Sequence, residues 1–263
     1  MLELYHNAMS TCSQKVRFCL AEKGQGWTCH TLDLRAGDQH KPEYLALNPN
    51  GVVPTLVDDG EVIIESTIIN EYLDERFPEP VLRPSDPAGR ARMRIWTQQL
   101  DQGLHAEAGV LSNAIAFRFQ KLAKGEEFAN LLVEGIPDPA KRERSRSVVF
   151  EGVQSPLFAK SIARFRKLLD DMDAVLAERH WLAGEVFSLA DIGLAPYITR
   201  LDHLGLNRMW LEQPRIADWY KRVTSRPSYE PAFVQWFDDK YLALMGEKGR
   251  EYWPQIEACL EAT

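Results

Sequence analysis

Nothing in these 263 residues approaches the roughly 18 consecutive apolar positions of a membrane span. The opening Met1-Leu2-Glu3-Leu4-Tyr5 lacks a basic stretch followed by an apolar one, so it does not read as a secretory signal. Positive charge is short: 31 Lys and Arg stand against 38 Asp and Glu, a formal net charge of −7. With no broad basic stripe to offset it, that balance excludes a general binder of nucleic acid or anionic membrane. Cysteine is scarce too. Cys12, Cys19, Cys29 and Cys259 form no C-x-x-C pair, and no His/Cys group has metal-ligand spacing. Neither a disulfide framework nor a metal site is expected, and Cys19 and Cys29 read as small buried hydrophobes. Internal repeats and low-complexity tracts are missing as well. What remains is a cytoplasmic globular protein, long enough for one large domain or two ordinary ones.

The first eighty residues alternate short strands and helices. Leu2 to Tyr5 suits a buried strand; Val16, Cys19, Leu20 and Lys23 have helical spacing, with Gly24 as a stop. Trp27 to Leu34 reads as a second strand, giving a parallel β-α-β crossover. Lys41 to Leu47 is a short helical piece ending at the turn Asn48-Pro49-Asn50-Gly51. Pro54 to Val57 and Glu61 to Ile64 flank an Asp-Gly turn as a hairpin, and Glu65 to Phe77 closes the unit as a helix. Four prolines between 78 and 89 mark a linker. Beyond it Met93, Trp96, Leu100 and Leu104 repeat at helical spacing, as do Ile162, Phe165, Leu168, Leu169, Met172 and Val175. The expected organisation is therefore 1–80 as an α/β domain, 81–89 as linker and 90–263 as an all-helical domain. Residues 123 to 157, basic at Lys141-Arg142-Glu143-Arg144 and interrupted by Pro137 and Pro139, read as a solvated helix and loop. Ser188-Leu189-Ala190-Asp191 reads as a helix-starting capping box with Asp in the acidic place.

Three places carry possible chemistry. Ser10-Thr11-Cys12-Ser13 lies between the first strand and the first helix, where free backbone N–H groups face a ligand. Ser10 and Ser13 stand where a dithiol enzyme has cysteines. A hydroxyl there cannot be a redox thiol, but it can donate to a thiolate. Such a bond contributes about 1.5–3 kcal/mol, enough to bring a thiol of pKa about 8.5 to near neutrality. The same tetrapeptide also fits a plain Ser/Thr N-cap. Val53-Pro54 follows a turn and opens a strand, a candidate cis bond that presents the Val53 backbone to a peptide-like ligand. Glu65 and Ser66 begin a helix, where the helix start and Ser66 suit a carboxylate and Glu65 suits an ammonium.

In their order and spacing, Leu4-Tyr5, Ser10-Thr11-Cys12-Ser13, Leu47-Asn48-Pro49, Val53-Pro54-Thr55-Leu56 and Glu65-Ser66-Thr67 resemble the glutathione transferase superfamily. The resemblance implies a thioredoxin-like N-terminal domain, an all-α C-terminal domain and glutathione as cosubstrate. It assigns thiolate activation to Ser10 and glutathione binding to Val53, Pro54, Glu65 and Ser66. His40 and Lys41 resemble the pair that holds the glycine carboxylate in several classes, and Cys12 resembles the cysteine of zeta-type isomerases. The length of 123–160 is similar to that of LigF-type bacterial β-etherases, with Trp96, His105, Phe117 and Phe119 as the aromatic-substrate side. A homodimer acting on an aromatic or hydrophobic electrophile is implied. β-Ether cleavage, zeta-type isomerisation and non-catalytic glutathione binding are the alternatives.

Overall fold

The computed structural model describes residues 1–136 and 138–261; Pro137 and the last two residues lie outside the described residues. The first part runs β1 (Leu2–His6), α1 (Thr11–Glu22), β2 (Thr28–Thr31), α2 (Pro42–Leu47), β3 (Thr55–Asp58), β4 (Glu61–Ile63) and α3 (Ser66–Arg76). Helices follow: α4 (Pro87–Gln99), α5 (His105–Ser112), α6 (Arg118–Leu122), α7 (Glu126–Glu134), α8 (Pro139–Glu151) and α9 (Pro156–Leu176). The remaining helices are α10 (Leu189–His203), α11 (Pro214–Thr224), α12 (Tyr229–Ala232) and α13 (Asp239–Glu261). The sheet order is β2-β1-β3-β4, with β1 parallel to β2 and antiparallel to β3. β2 is shorter than its apolar run suggests. Asp33 accepts from the N–H groups of Arg35 and Ala36, turning the chain before Leu34 can extend the strand.

The described residues gather into two compact units. The first holds residues 1–101 together with 175–198 and 218–238. Its sheet packs on α1, whose Val16, Phe18, Cys19 and Leu20 are all fully buried. Each such side chain contributes about 1.5–3 kcal/mol of burial. The proline-rich connection is pinned rather than loose. Asp74 on α3 pairs with the buried Lys23 ammonium at 2.5 Å and with Arg83, and accepts from the Leu82 N–H at 2.9 Å. Asp191 caps α10 reciprocally: it accepts from the Ser188 N–H at 3.1 Å, while Ser188 Oγ accepts from the Ala190 N–H. Its other oxygen accepts from the Leu182 N–H and, at 2.9 Å, from the Trp219 indole.

The second unit holds residues 102–174, 199–217 and those from 239 onward. Phe158, Ile162, Phe165, Leu168, Leu169 and Met172 form the buried stripe of α9. The polar stretch read as helix and loop is two helices, α7 and α8, closed over Ala129, Val133 and Val149. Two of its arginines are used internally. Arg146 pairs with Glu134, and Arg142 donates to the Ile136 carbonyl. Arg118 donates to the Val149 and Phe150 carbonyls at the end of α8, where a cation complements the helix dipole. Gly152, at φ 61, ends that helix; a Cβ there would run into the Arg118 guanidinium.

Among the described residues no group of three or more His, Cys, Asp or Glu is placed to hold a metal ion. No described helix is long and apolar enough to cross a membrane.

Candidate active site

Ser10 is the N-cap of α1, in extended conformation, with its hydroxyl oxygen accepting from the Ser13 N–H at 3.3 Å. Accepting that bond leaves the hydroxyl hydrogen available for donation. Ser10 is held from the other side by its own N–H, which donates to the Asn7 carbonyl. Ser13 does a different job from the one its position suggests. It is fully buried, and its Oγ accepts from the Asn7 N–H at 3.2 Å, so it ties the 7–10 loop to the helix and does not face a ligand. Cys12 is half-buried, its sulfur 3.9 Å from the hydroxyl of Tyr197 on α10. Burial first, then Cys12 beside it, pushes the Tyr197 phenol well above its usual range, keeping it protonated.

The Val53–Pro54 peptide bond is cis. The Val53 side chain is buried with Leu32 and Tyr44, so the part of Val53 left for recognition is backbone. The preceding carbonyl, that of Val52, is fixed by donors from the Tyr44 hydroxyl at 2.6 Å and the Asn48 amide at 3.0 Å. Glu65 lies at φ 67, ψ 110, outside the region a side chain prefers, and immediately precedes Ser66, the first residue of α3. Its carboxylate accepts from the Asn50 amide at 3.4 Å, joining the 48–53 turn to the start of α3. His40 reaches the same turn: a Cβ on Gly51 would sit 3.0 Å from its Nδ1, and Gly51 itself has φ +60. The exposed Lys41 ammonium is paired with Asp38 at 2.7 Å.

Two helix N-termini are thus built side by side, and a buried cation joins them. Lys15, one turn into α1, is 1% exposed and donates to Thr67 Oγ1 at 2.8 Å; Thr67 donates onward to Asp101 at 3.2 Å. Burial pulls the Lys15 ammonium below its usual range, against the raising influence of Cys12, Asp101 and Glu65.

Residues 4–81 match the glutathione S-transferase N-terminal domain, and residues 142–222 match the glutathione S-transferase C-terminal domain. The chain belongs to the glutathione S-transferase family. Maleylacetoacetate isomerase of Pseudomonas aeruginosa is 33% identical, across 89% of this chain and 94% of its own. Protein LigF of Sphingobium sp. strain SYK-6 is 28% identical across 94% of this chain and 98% of its own. The crystal structure of beta-etherase LigF from the same strain superposes with a TM-score of 0.78, at 27% identity over 89% of this chain and 99% of that one. The stringent starvation protein A homolog of Coxiella burnetii is 30% identical over 89% of this chain and 92% of its own. The protein is a glutathione transferase, with glutathione as its cosubstrate, in the thioredoxin-like plus all-α fold.

Three of the aromatic residues singled out in the sequence, Trp96, Phe117 and Phe119, have partners within their own unit. Trp96 is a core residue of the first unit, buried, with its indole donating to the Leu182 carbonyl at 3.0 Å. Phe117 and Phe119 are half-buried in the second unit, where Phe117 meets Tyr241 edge-on and Phe119 stacks on Tyr252. His105 is exposed at the first turn of α5. Sequence reasoning missed Lys15, Thr67, Asp101, Asn50 and Tyr197. Lys15 had a signal: it sits four residues before Cys19, on the buried stripe of α1.

Proposed function

We propose that this transferase uses the Ser10 hydroxyl to stabilise the glutathione thiolate and adds that sulfur to a hydrophobic or aromatic electrophile. In this reading the Val53 backbone beside cis-Pro54 pairs with the cysteinyl residue of glutathione. Ser66 and the start of α3 take the γ-glutamyl carboxylate, and Glu65 takes its ammonium. His40 and Lys41 lie by the glycine carboxylate, with Cys12 flanking the sulfur. The observation that carries the reading is the Ser10 cap, whose oxygen is engaged by a backbone N–H while its proton stays available at a helix N-terminus. The enzyme works in the cytoplasm as a homodimer.

A second reading, cleavage of β-aryl ethers, is supported by the likeness to LigF along nearly the whole of both chains. There the thiolate attacks the carbon that bears the aryloxy group, α to a ketone, and a phenolate departs. One experiment separates the readings. Purified protein is incubated with glutathione and a panel of a β-aryl ether ketone, an aryl halide and a cis-dienoic acid, and products are followed by mass spectrometry. An aryl adduct alone supports general transfer, adduct with released phenol supports etherase chemistry, and a rearranged acid supports isomerisation. Glutathione binding with no product would refute the catalytic proposal in favour of a binding role.

A further inference from the structure

A closed ring of hydrogen bonds stands behind the turn that leads into β3. Its members are Tyr44 of α2, Asn48 directly after that helix, Thr55 at the head of β3, and the Val52 carbonyl. The three side chains are buried. Donors and acceptors around the ring follow from the chemistry of each group. The Val52 oxygen only accepts, so the Tyr44 hydroxyl gives its single hydrogen to it, at 2.6 Å. Asn48 Oδ1 accepts from the Asn50 N–H at 3.1 Å. That fixes the amide and sends the two Nδ2 hydrogens to Val52 O at 3.0 Å and to Thr55 Oγ1 at 3.1 Å. The Thr55 hydroxyl, 2.8 Å from the Tyr44 oxygen, therefore donates to it. Each polar side chain both supports a neighbour and is supported by one, so none turns without breaking the ring.

The ring also settles the other side of the peptide it grips. The Val52–Val53 bond is trans, so its N–H points opposite to its C=O. With the Val52 oxygen drawn toward Tyr44 and Asn48, the Val53 N–H is turned away from them. Among the described residues that N–H meets no acceptor. Backbone donors in folded proteins are almost always paired, so a donor both fixed and unshared points to an acceptor on a ligand.

We propose that Tyr44, Asn48 and Thr55 are positioning residues that aim the Val53 N–H at the cysteinyl carbonyl of glutathione, and that they thereby select γ-glutamyl thiols that carry this carbonyl. The proposal rests on the reading that the Val53 backbone pairs with the cysteinyl residue. The three side chains act through the Val52–Val53 peptide and not on the sulfur, which Ser10 serves. A ring that lost a member would leave the peptide free to rock, and binding would then have to order it.

The test compares the full-length protein with its Tyr44→Phe variant, using calorimetry with two thiols. One is glutathione; the other is γ-glutamylcysteamine, which lacks the cysteinyl carbonyl and the glycine. Tyr44→Phe keeps the buried aromatic ring and removes one of the two donors to Val52. It is expected to raise the Kd for glutathione about fivefold and to leave the Kd for γ-glutamylcysteamine unchanged. Thr55→Val, of the same shape, should move the glutathione Kd in the same direction, and Thr55→Ser should restore it. These two carry the test should Tyr44→Phe not fold. A folded Tyr44→Phe, or in its place Thr55→Val, with an unchanged glutathione Kd overturns the proposal. An equal loss for both thiols, the mark of a generally loosened turn, overturns it too. In both cases the Val53 reading survives. Wild-type protein that binds the two thiols equally would overturn the Val53 reading and this proposal with it.

Discussion

The ammonium of Lys15 on α1 and the hydroxyl of Thr67 on α3 are bonded at 2.8 Å with both side chains buried, which clamps together the starts of the two helices. Thr67 is the neighbour of Ser66, so the cation lies beneath the place proposed for the γ-glutamyl carboxylate. Replacing Lys15 by Met keeps the buried stem and removes the charge. Loss of one charge-assisted bond of about 1.5–3 kcal/mol should raise the KM for glutathione about tenfold or more. Because a buried ammonium is costly to desolvate, the melting temperature should hold or rise. Steady-state kinetics with glutathione varied, beside a thermal melt, checks both; an unchanged KM would remove Lys15 from the site.

Ser10 combines a cap with a hydroxyl donor, and two substitutions pull these apart. Ser10→Ala loses the cap bond to the Ser13 N–H, at about 1 kcal/mol of stability, and loses the donor. Ser10→Asp keeps a capping oxygen but brings no proton and a like charge for the thiolate. Stability should therefore return in the Asp variant while kcat/KM stays at least tenfold down in both. Turnover restored by Asp would show that the cap, and not the hydroxyl donor, matters.

Glu65 holds a side chain at φ 67, where such residues cost on the order of 1–3 kcal/mol. Glu65→Ala and Glu65→Gly both delete the carboxylate, but only Gly relaxes the backbone. Both variants should bind glutathione weakly. The Gly variant should be the more stable of the two, by up to about 1 kcal/mol once its looser unfolded chain is counted. Equal or reversed denaturation midpoints would mean that the strain is not expressed.

Acid should destabilise the protein through two histidines. Burial lowers His6 to about 3 and, with Arg200 second, lowers His203 to about 4, whereas an unfolded histidine titrates near pH 6.5. Below 6.5 the unfolded chain binds protons that the folded chain refuses, so stability falls with falling pH. Each group contributes on the order of 1 kcal/mol per pH unit down to its own folded value. Asp191 works the other way. Burial raises it to about 6, so between its ordinary value near 4 and pH 6 its folded form holds a proton that the unfolded form has lost. Over pH 6 to 4 the two histidines outweigh the one aspartate, and net stability should drop. Urea midpoints from pH 7 to 4 test this, and a His203→Gln variant should flatten the slope by about one histidine's share.

Much of the first part of the fold is legible because its signals are local. Period-two and helical spacing, an Asp-Gly turn, and a proline after Asn-Gly each report a backbone event within a few residues. The Ser188–Asp191 cap is equally local. Residues whose meaning depends on distant partners were not legible. Lys15 has helical spacing with Cys19 on the buried stripe of α1, but the acceptor that gives it a role, Thr67, lies 52 positions away. Ser13 looks like a ligand-facing hydroxyl until the Asn7 N–H claims it. Cys29 sits within an apolar-looking run, yet its strand is at the sheet edge, which only the pairing order reveals. The arginines of α8 read as a solvated run because their acceptors, Glu134 and backbone carbonyls, lie on the neighbouring turns.

The first compact unit is discontinuous along the chain, and this has a consequence for biosynthesis. A ribosome delivers residues in order, and the unit that carries the thioredoxin-like sheet is complete only when residue 238 has emerged. Arg17, made near the start, finds the Ala232 carbonyl only at that late stage, and Trp219 reaches Asp191 only shortly before it. Through most of its synthesis the nascent chain therefore carries a buried-type guanidinium without its final acceptor, and its first strand and helix, made first, wait for residues 218–238.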